Sequence, residues 1–331
     1  MSVTNSLELE MNRREFVAST AAAIVGGSAV GVSATPVPSS VKVNLAADVS
    51  ARPFPFSVML WTVEPKLPFE QRIAKVSEAG YHAVELVEEY KAWGKDDFAA
   101  ARKQFQHLGI VVDACSGIHA SLCDPAQRDA LLAEIRAKLP VLAALECSRL
   151  ILLTGNLVPG LSREKMHANC VEALKRAADV VGSQKVELLL ENIDPEENPK
   201  YFLTSVAEGF QVIREVGNPH VRFLYDFFHE QIAEGNLISK LEQNLDLTGL
   251  VHIADVPGRH EPGTGEINYA TIFRKLGQLG YSRYVAMEFI PTGDVVTSLR
   301  TAREFAEKYA NEGRALAACL TALEESTYAS S

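Results

Sequence analysis

A parallel (β/α)8 barrel of the α/β class is the fold this sequence predicts, on three observations. Short apolar runs rich in β-branched and aromatic residues alternate with stretches of helical periodicity. Eight such pairs fill the roughly 255 residues from 56 to 310, the size and rhythm of a single-domain barrel. The first strand-helix junction, Trp61-Thr62-Val63-Glu64-Pro65, has none of the glycines that open a doubly wound dinucleotide-binding sheet.

Taken in order, Phe56 to Val63 is an apolar β-rich run, and Phe69 to Ala79 carries apolar residues at helical spacing until Gly80 stops it. His82 to Glu88 is followed by a helix over Asp97 to Leu108, and Ile110 to Ser116 by one over Ala126 to Leu145. Arg149 to Thr154 leads to Glu164 to Val181, and Val186 to Glu191 to Thr204 to Val216. Arg222 to Asp226, Leu250 to Ala254 and Tyr284 to Phe289 complete the strands, with helices at Leu237 to Leu245, Tyr269 to Leu279 and Asp294 to Tyr309. Residues 311–331 read as one further helix that either caps the barrel or pairs with a second subunit as a homo-oligomer.

Ahead of the barrel, Asn12-Arg13-Arg14-Glu15-Phe16-Val17 precedes an uncharged, small-residue run from Ala18 to Val32 and the tripeptide Val32-Ser33-Ala34. This has the form of a twin-arginine export signal over residues 1–34 with Met1 or Met11 as the start, followed by a Pro- and Ser-rich linker over 35–55. The expected location is periplasmic, or cytoplasmic if the signal does not function. The run is too short and too rich in small residues for a stable membrane span. A net charge of −10 provides no basic field for nucleic acid. Five cysteines without C-x-x-C spacing argue against a zinc or disulfide framework and for small buried thiols.

Reactive groups in such a barrel gather at the C-terminal ends of the strands. The fifth strand ends in Glu191, the sixth in Asp226, the seventh carries His252 and the eighth Glu288. Burying any of these unpaired would cost several kcal/mol. Three carboxylates and an imidazole at one mouth repel one another unless a cation neutralises them, so a divalent metal is the economical occupant. Oxygen-dominated ligation suits Mn²⁺ or Mg²⁺, Co²⁺ is also compatible, and the lack of thiolates disfavours Zn²⁺. Taken one at a time, each of the four could equally be a salt-bridge, loop-capping or core group. Their recurrence on four adjacent strands favours a shared site.

The segments LLLENIDP, LYDFFHEQIAEGN, VHIADVPGRHEPGTGEINY and AMEF, in this order and spacing, resemble the hydroxypyruvate isomerase group of the xylose-isomerase-like TIM barrels, as does the opening segment FSVMLWTVEPKLPFEQRIAKVSEAGYHAVELVEEY. The resemblance spans about residues 56–305 and implies a metal held by Glu191, Asp226, His252 and Glu288. It further implies that Glu191 and Glu288 are the acid/base pair, with His229, Arg259 and His260 binding substrate oxygens. One position departs from it: His252 stands where hydroxypyruvate isomerases tend to carry Gln, and ketose 3-epimerases of the same superfamily carry His there.

The expected reaction moves a proton at the carbon beside a carbonyl through an enediolate stabilised by the dication. Its best substrate is hydroxypyruvate, giving tartronate semialdehyde, because the planar fork of Arg259 suits a carboxylate. For Arg259 and His260 the alternative is a loop-stabilising pair closing onto Glu261 or Glu266. Trp61 and Tyr90 are candidates for an apolar wall, and His119 either faces the site or bonds a loop. The competing functions are a ketose 3-epimerase or other sugar isomerase, and a non-catalytic exported sugar-binding barrel. Apurinic endonucleases share this fold, but they need more strand-end histidines and a surface that tolerates DNA.

Overall fold

Residues 52–328 are described by a computed structural model of the chain, so the predicted export signal and residues 35–51 of the linker lie outside the described residues. Eight parallel strands close into a barrel in sequential order, as the alternation requires. They are β1 (Phe56–Met59), β2 (Ala83–Leu86), β3 (Val111–Cys115), β4 (Arg149–Leu153), β5 (Glu187–Glu191), β6 (Val221–Asp226), β7 (Thr248–Ile253) and β8 (Val285–Met287). Around them run α1 (Phe69–Glu78), α2 (Lys95–Leu108), α3 (Arg128–Ala144), α4 (Arg163–Val181), α5 (Val206–Val216), α6 (Phe227–Ala233), α7 (Leu237–Glu242), α8 (Tyr269–Gln278) and α9 (Val295–Tyr328).

Each strand sends alternate residues to the two sides of the sheet. Met59, Ala114, Ile151, Leu189, Leu224, Leu250 and Ala286 form one apolar cluster inside the barrel, while the outward residues join the larger core under the helices. Two positions beyond Leu189, Leu224, Leu250 and Ala286 stand Glu191, Asp226, His252 and Glu288, so the inward face turns from apolar to ionisable within one step of the strand period. The opposite end is closed by aromatic residues. Phe54 packs edge-on against Phe56 and Tyr281, so the core begins two residues before the predicted boundary at Phe56.

Three expectations about elements change. Trp61 is not on the first strand, because Leu60–Thr62 is a 3-10 turn. Arg72 donates to the carbonyls of Leu60 and Val63, and Thr62 Oγ1 donates to that of Met59, which takes these groups out of any strand ladder. The short helix α6 was not foreseen; it starts directly from β6 with Asp226 as its cap. The C-terminal tail is not a separate helix but the second half of α9, 34 residues in all, and about 51 Å long at 1.5 Å per residue. Gly313 does not break it. A Cβ there would lie 1.9 Å from the Arg274 carbonyl oxygen, and one on Gly277 would lie 2.0 Å from that of Ala310, so both glycines let α8 and α9 touch backbone to backbone. Beyond this contact Leu316, Leu320 and Leu323 are 46%, 60% and 60% exposed. Four cysteines are buried as expected; Cys319, on α9, is exposed.

Candidate metal centre at the barrel mouth

Glu191 and Asp226 are the last residues of β5 and β6, His252 the penultimate residue of β7, and Glu288 follows β8 directly. Strand pairing sets Asp226 beside His252 and His252 beside Ala286. One ligand atom from each of Glu191, Asp226, His252 and Glu288 lies within 4.8 Å of the other three, and all four residues are buried. Ligands on opposite sides of a small oxygen-bound dication stand roughly 4 Å apart, so this donor set fits such an ion with little closure.

The internal contacts are tight. His252 Nδ1 is 2.7 Å from Glu288 Oε2 and 3.7 Å from Glu191 Oε1. Trp61 Nε1–H donates to Glu288 Oε1 at 3.0 Å, which places Trp61 against the cluster rather than as a plain apolar wall. Asp226 Oδ1 accepts the Phe228 N–H at 2.8 Å as the α6 cap, leaving Oδ2 for the mouth.

Arg259 enters the same cluster. Its Nη2 is 2.8 Å from Glu288 Oε2 and 3.5 Å from Asp226 Oδ2, its Nη1 is 2.8 Å from Glu197 Oε2, and its Nε donates to the Glu288 carbonyl. The guanidinium also lies over the rings of Phe228 at 4.7 Å and Trp61 at 5.7 Å. Neither Glu261 nor Glu266 is its partner: Glu261 accepts from Thr292 and Glu266 from Gln231.

The loop carrying Arg259 is hung on Asp255, whose carboxylate accepts N–H bonds from Val256, Gly263, Gly265 and Ile267. Arg259 itself has φ +57°, and Gly258 before it +92°. Gly265 has no room for a side chain, since a Cβ would stand 2.0 Å from the Val256 carbonyl oxygen. The glycines therefore frame the loop.

His229 is buried behind the cluster, Nε2 3.4 Å from Asp226 Oδ2 and Nδ1 2.7 Å from Asp194 Oδ2. Asp194 also caps the turn after β5 by accepting the N–H groups of Glu196 and Glu197. Ligand atoms of Asp194, Glu197 and His229 also converge within 4.8 Å, but hydrogen bonding within the trio and to Arg259 accounts for that geometry.

The remaining predicted residues stand elsewhere. His260 points its Nδ1 at the Ile290 carbonyl, 2.8 Å away, and so ties the β7 loop to the chain after β8. His119 is exposed and pairs with Glu88 at 2.7 Å. Tyr90 is buried and donates its hydroxyl to the Ser116 carbonyl, a loop contact on the β2–β3 side.

The charged groups of the cluster shift one another. Burial pushes Glu191 up to about 8, against the pull of His252. Burial would also raise Glu288, but Arg259 and His252 outweigh it and hold that carboxyl well below the usual range. Burial would lower His229, yet Asp226 and the Asp194 hydrogen bond raise it to about 9. The two glutamates are thus driven in opposite directions by their surroundings.

Sequence reasoning passed over Glu85, Asp194 and Glu197. Glu85, on β2, is fully buried with Oε2 2.9 Å from His252 Nε2. Its signal was the one used for strands five to eight, a carboxylate inside an apolar strand, and Asp113 on β3 carries it too. The Asp113 carboxylate is buried without a hydrogen-bond partner among the described residues, and burial together with Glu85 pushes it up.

The xylose isomerase-like TIM barrel family model matches residues 73–309. The chain is 30% identical over 250 residues to the 2-oxo-tetronate isomerase of Haemophilus influenzae, covering 74% of this chain and 96% of that one. It is 29% identical over 249 residues to the hydroxypyruvate isomerase of Escherichia coli, again covering 74% and 96%. Among solved structures, an L-ribulose 3-epimerase superposes with a TM-score of 0.68 at 19% identity, over 81% of this chain and 98% of that one, a likeness of fold.

Proposed function

Because the chain belongs to the xylose isomerase-like TIM barrel family, we propose that it is a divalent-metal-dependent isomerase of a small α-hydroxycarbonyl acid, with hydroxypyruvate to tartronate semialdehyde as the leading reaction. The observation that carries this reading is the convergence of Glu191, Asp226, His252 and Glu288 on one point of the mouth. Bound there, Mn²⁺ or Mg²⁺, with Co²⁺ also compatible, would supply Lewis-acid stabilisation of the charge that develops on the substrate oxygens.

The protein's own part is proton transfer and orientation. Glu191 and Glu288 project from β5 and from beyond β8, three strands apart around the barrel, so they approach a substrate at the mouth from different sides. One takes the proton from the carbon beside the carbonyl, and the other, or the same one, returns it to the neighbouring carbon. Trp61 on Oε1 and Arg259 on Oε2 leave Glu288 little rotational freedom. Arg259 anchors the substrate carboxylate. Its partner Glu197, with a side chain 50% exposed, is the one most readily displaced. The relatives' names fit a substrate of this kind, since hydroxypyruvate and 2-oxo-tetronate both set a carboxylate beside a ketone. In this reading the twin-arginine segment takes the enzyme out of the cytoplasm.

A second reading, epimerisation of a neutral ketose, is favoured by His252 at the position where the resemblance departs. Metal-loaded protein is incubated in D₂O with hydroxypyruvate, 2-oxo-tetronate and a panel of ketoses, and deuterium beside the carbonyl is followed by NMR. Exchange with carbonyl migration on the acids supports the isomerase. Exchange with inversion on a ketose alone supports the epimerase. No exchange on any compound by folded, metal-loaded protein leaves a sugar-binding barrel and overturns both.

A further inference from the structure

Glu85 is a buried carboxylate in the middle of a closed barrel, and the roles given to the four mouth residues leave it without a task. It is the third residue of β2 and reaches across the interior to β7. Its Oε1 accepts the Ser57 hydroxyl at 3.3 Å, and its Oε2 is 2.9 Å from His252 Nε2. All three residues are buried. A carboxylate sealed inside a barrel costs several kcal/mol unless partnered, and these two side chains are the hydrogen-bond partners it has among the described residues.

The geometry points to Glu85 as a positioning residue that selects the tautomer and ring orientation of His252; for metal binding, this rests on the reading of the mouth as a metal site. An ionised carboxylate only accepts hydrogen bonds, so the imidazole facing it must carry hydrogen on Nε2. Nδ1 is the nitrogen that looks into the cluster toward Glu288 and Glu191, so a cation bound at the mouth, in place of any hydrogen between Nδ1 and Glu288, would meet the lone pair of a neutral ring there. Without Glu85 the ring is free to take the other tautomer or to turn over, and Nδ1 no longer offers a lone pair to the mouth. The Ser57 hydroxyl, on the other oxygen, holds the carboxylate in the rotamer that meets His252. An acceptor behind a ligating histidine fixes its orientation and raises its basicity.

The test compares the full-length protein with Glu85→Gln, which keeps the volume but removes the ionised acceptor, and Glu85→Leu, which removes the acceptor altogether. Histidine is labelled with ¹⁵N, and His252→Gln assigns the resonance. Mn²⁺ affinity is read from the free ion by EPR, and the tautomer from the Nε2–H signal in metal-free and Mg²⁺-loaded protein. Mn²⁺ affinity should fall on the order of 10-fold in the Gln variant and 100-fold in the Leu variant. The slowly exchanging Nε2–H signal should be present in the wild type and lost in the Leu variant. Either folded variant binding Mn²⁺ within about twofold of wild type overturns the inference, given that range of effects. If the wild type takes up no Mn²⁺, the metal reading fails. The Nε2–H signal then decides the positioning claim alone, and its absence from the wild type sinks it.

Discussion

The two halves of the barrel mouth share a backbone plan and differ in what they are made to hold. On the β5–β8 side the strand ends present Glu191, Asp226, His252 and Glu288 at contact distance, backed by Asp194, His229 and Arg259. On the β3–β5 side the loops enclose a cleft of about 450 Å³ whose polar lining includes Ser121, Gln127, Asn156 and Asn198. Those groups are largely occupied with one another and with backbone, as in Asn198 donating to Asn156 and Ser121 to the Thr154 carbonyl. The first half concentrates charges that pair with one another, as Arg259 does with Glu288 and His229 with Asp194, whereas the polar groups of the second are met by neutral hydrogen bonds. Charge at a strand end, more than polarity, is what separates the two sides.

This contrast breaks if substitutions on the two sides weigh alike. Glu191→Gln and Glu288→Gln should each lower turnover on the order of 10²- to 10⁴-fold, through loss of the acid/base step, whereas Asn156→Ala should stay within about threefold. Steady-state kinetics on whichever acid the D₂O experiment selects provides the measurement, and an Asn156 effect as large as the glutamates' would move the chemistry across the mouth.

A smaller effect sharpens the roles inside the charged half. Arg259→Lys keeps the charge but loses the fork, so KM for a carboxylate substrate should rise on the order of 10-fold while KM for a neutral ketose moves far less. Equal shifts on both would assign Arg259 to Glu288 and Asp226 rather than to substrate.

A separate effect, on stability rather than on activity, is expected in the metal-free protein. His229 has its folded value raised from about 6.5 to about 9, so the stabilisation it brings is complete below about pH 6.5 and is lost as pH rises through 9. The loss is on the order of a few kcal/mol. His229→Asn should flatten the fall in denaturation midpoint between pH 6.5 and 9, and an unchanged slope would mean that Asp194 and Asp226 do not hold a proton there.

The fold was legible because its signals are local and repeated: eight apolar runs, each followed by helical spacing, need no knowledge of distant contacts. The four mouth residues were legible for the same reason, as charges interrupting apolar strands. What stayed hidden depends on partners far apart in sequence. Glu85 and His252 are separated by 167 residues and meet only once the barrel closes. Asp194 and Glu197 sit in a turn where carboxylates are common, and only the placement of His229 and Arg259 singles them out. His260 and His119 drew notice by residue type, but their rings went to the Ile290 carbonyl and to Glu88. Residues 311–331 read as a separate helix, because the backbone contact that Gly313 makes with α8 is not visible from its own neighbourhood.

The loop after β7 is gathered at its base by one carboxylate: Asp255 takes the N–H groups of Val256 at one end and Gly263, Gly265 and Ile267 at the other. Its crown is tied outward as well, Arg259 to Glu288 and Glu197, His260 to the Ile290 carbonyl and Glu261 to Thr292. For directed evolution the loop is therefore a frame to keep rather than a cassette to exchange, since a change at Arg259 or His260 releases a tie to the mouth along with the side chain it replaces.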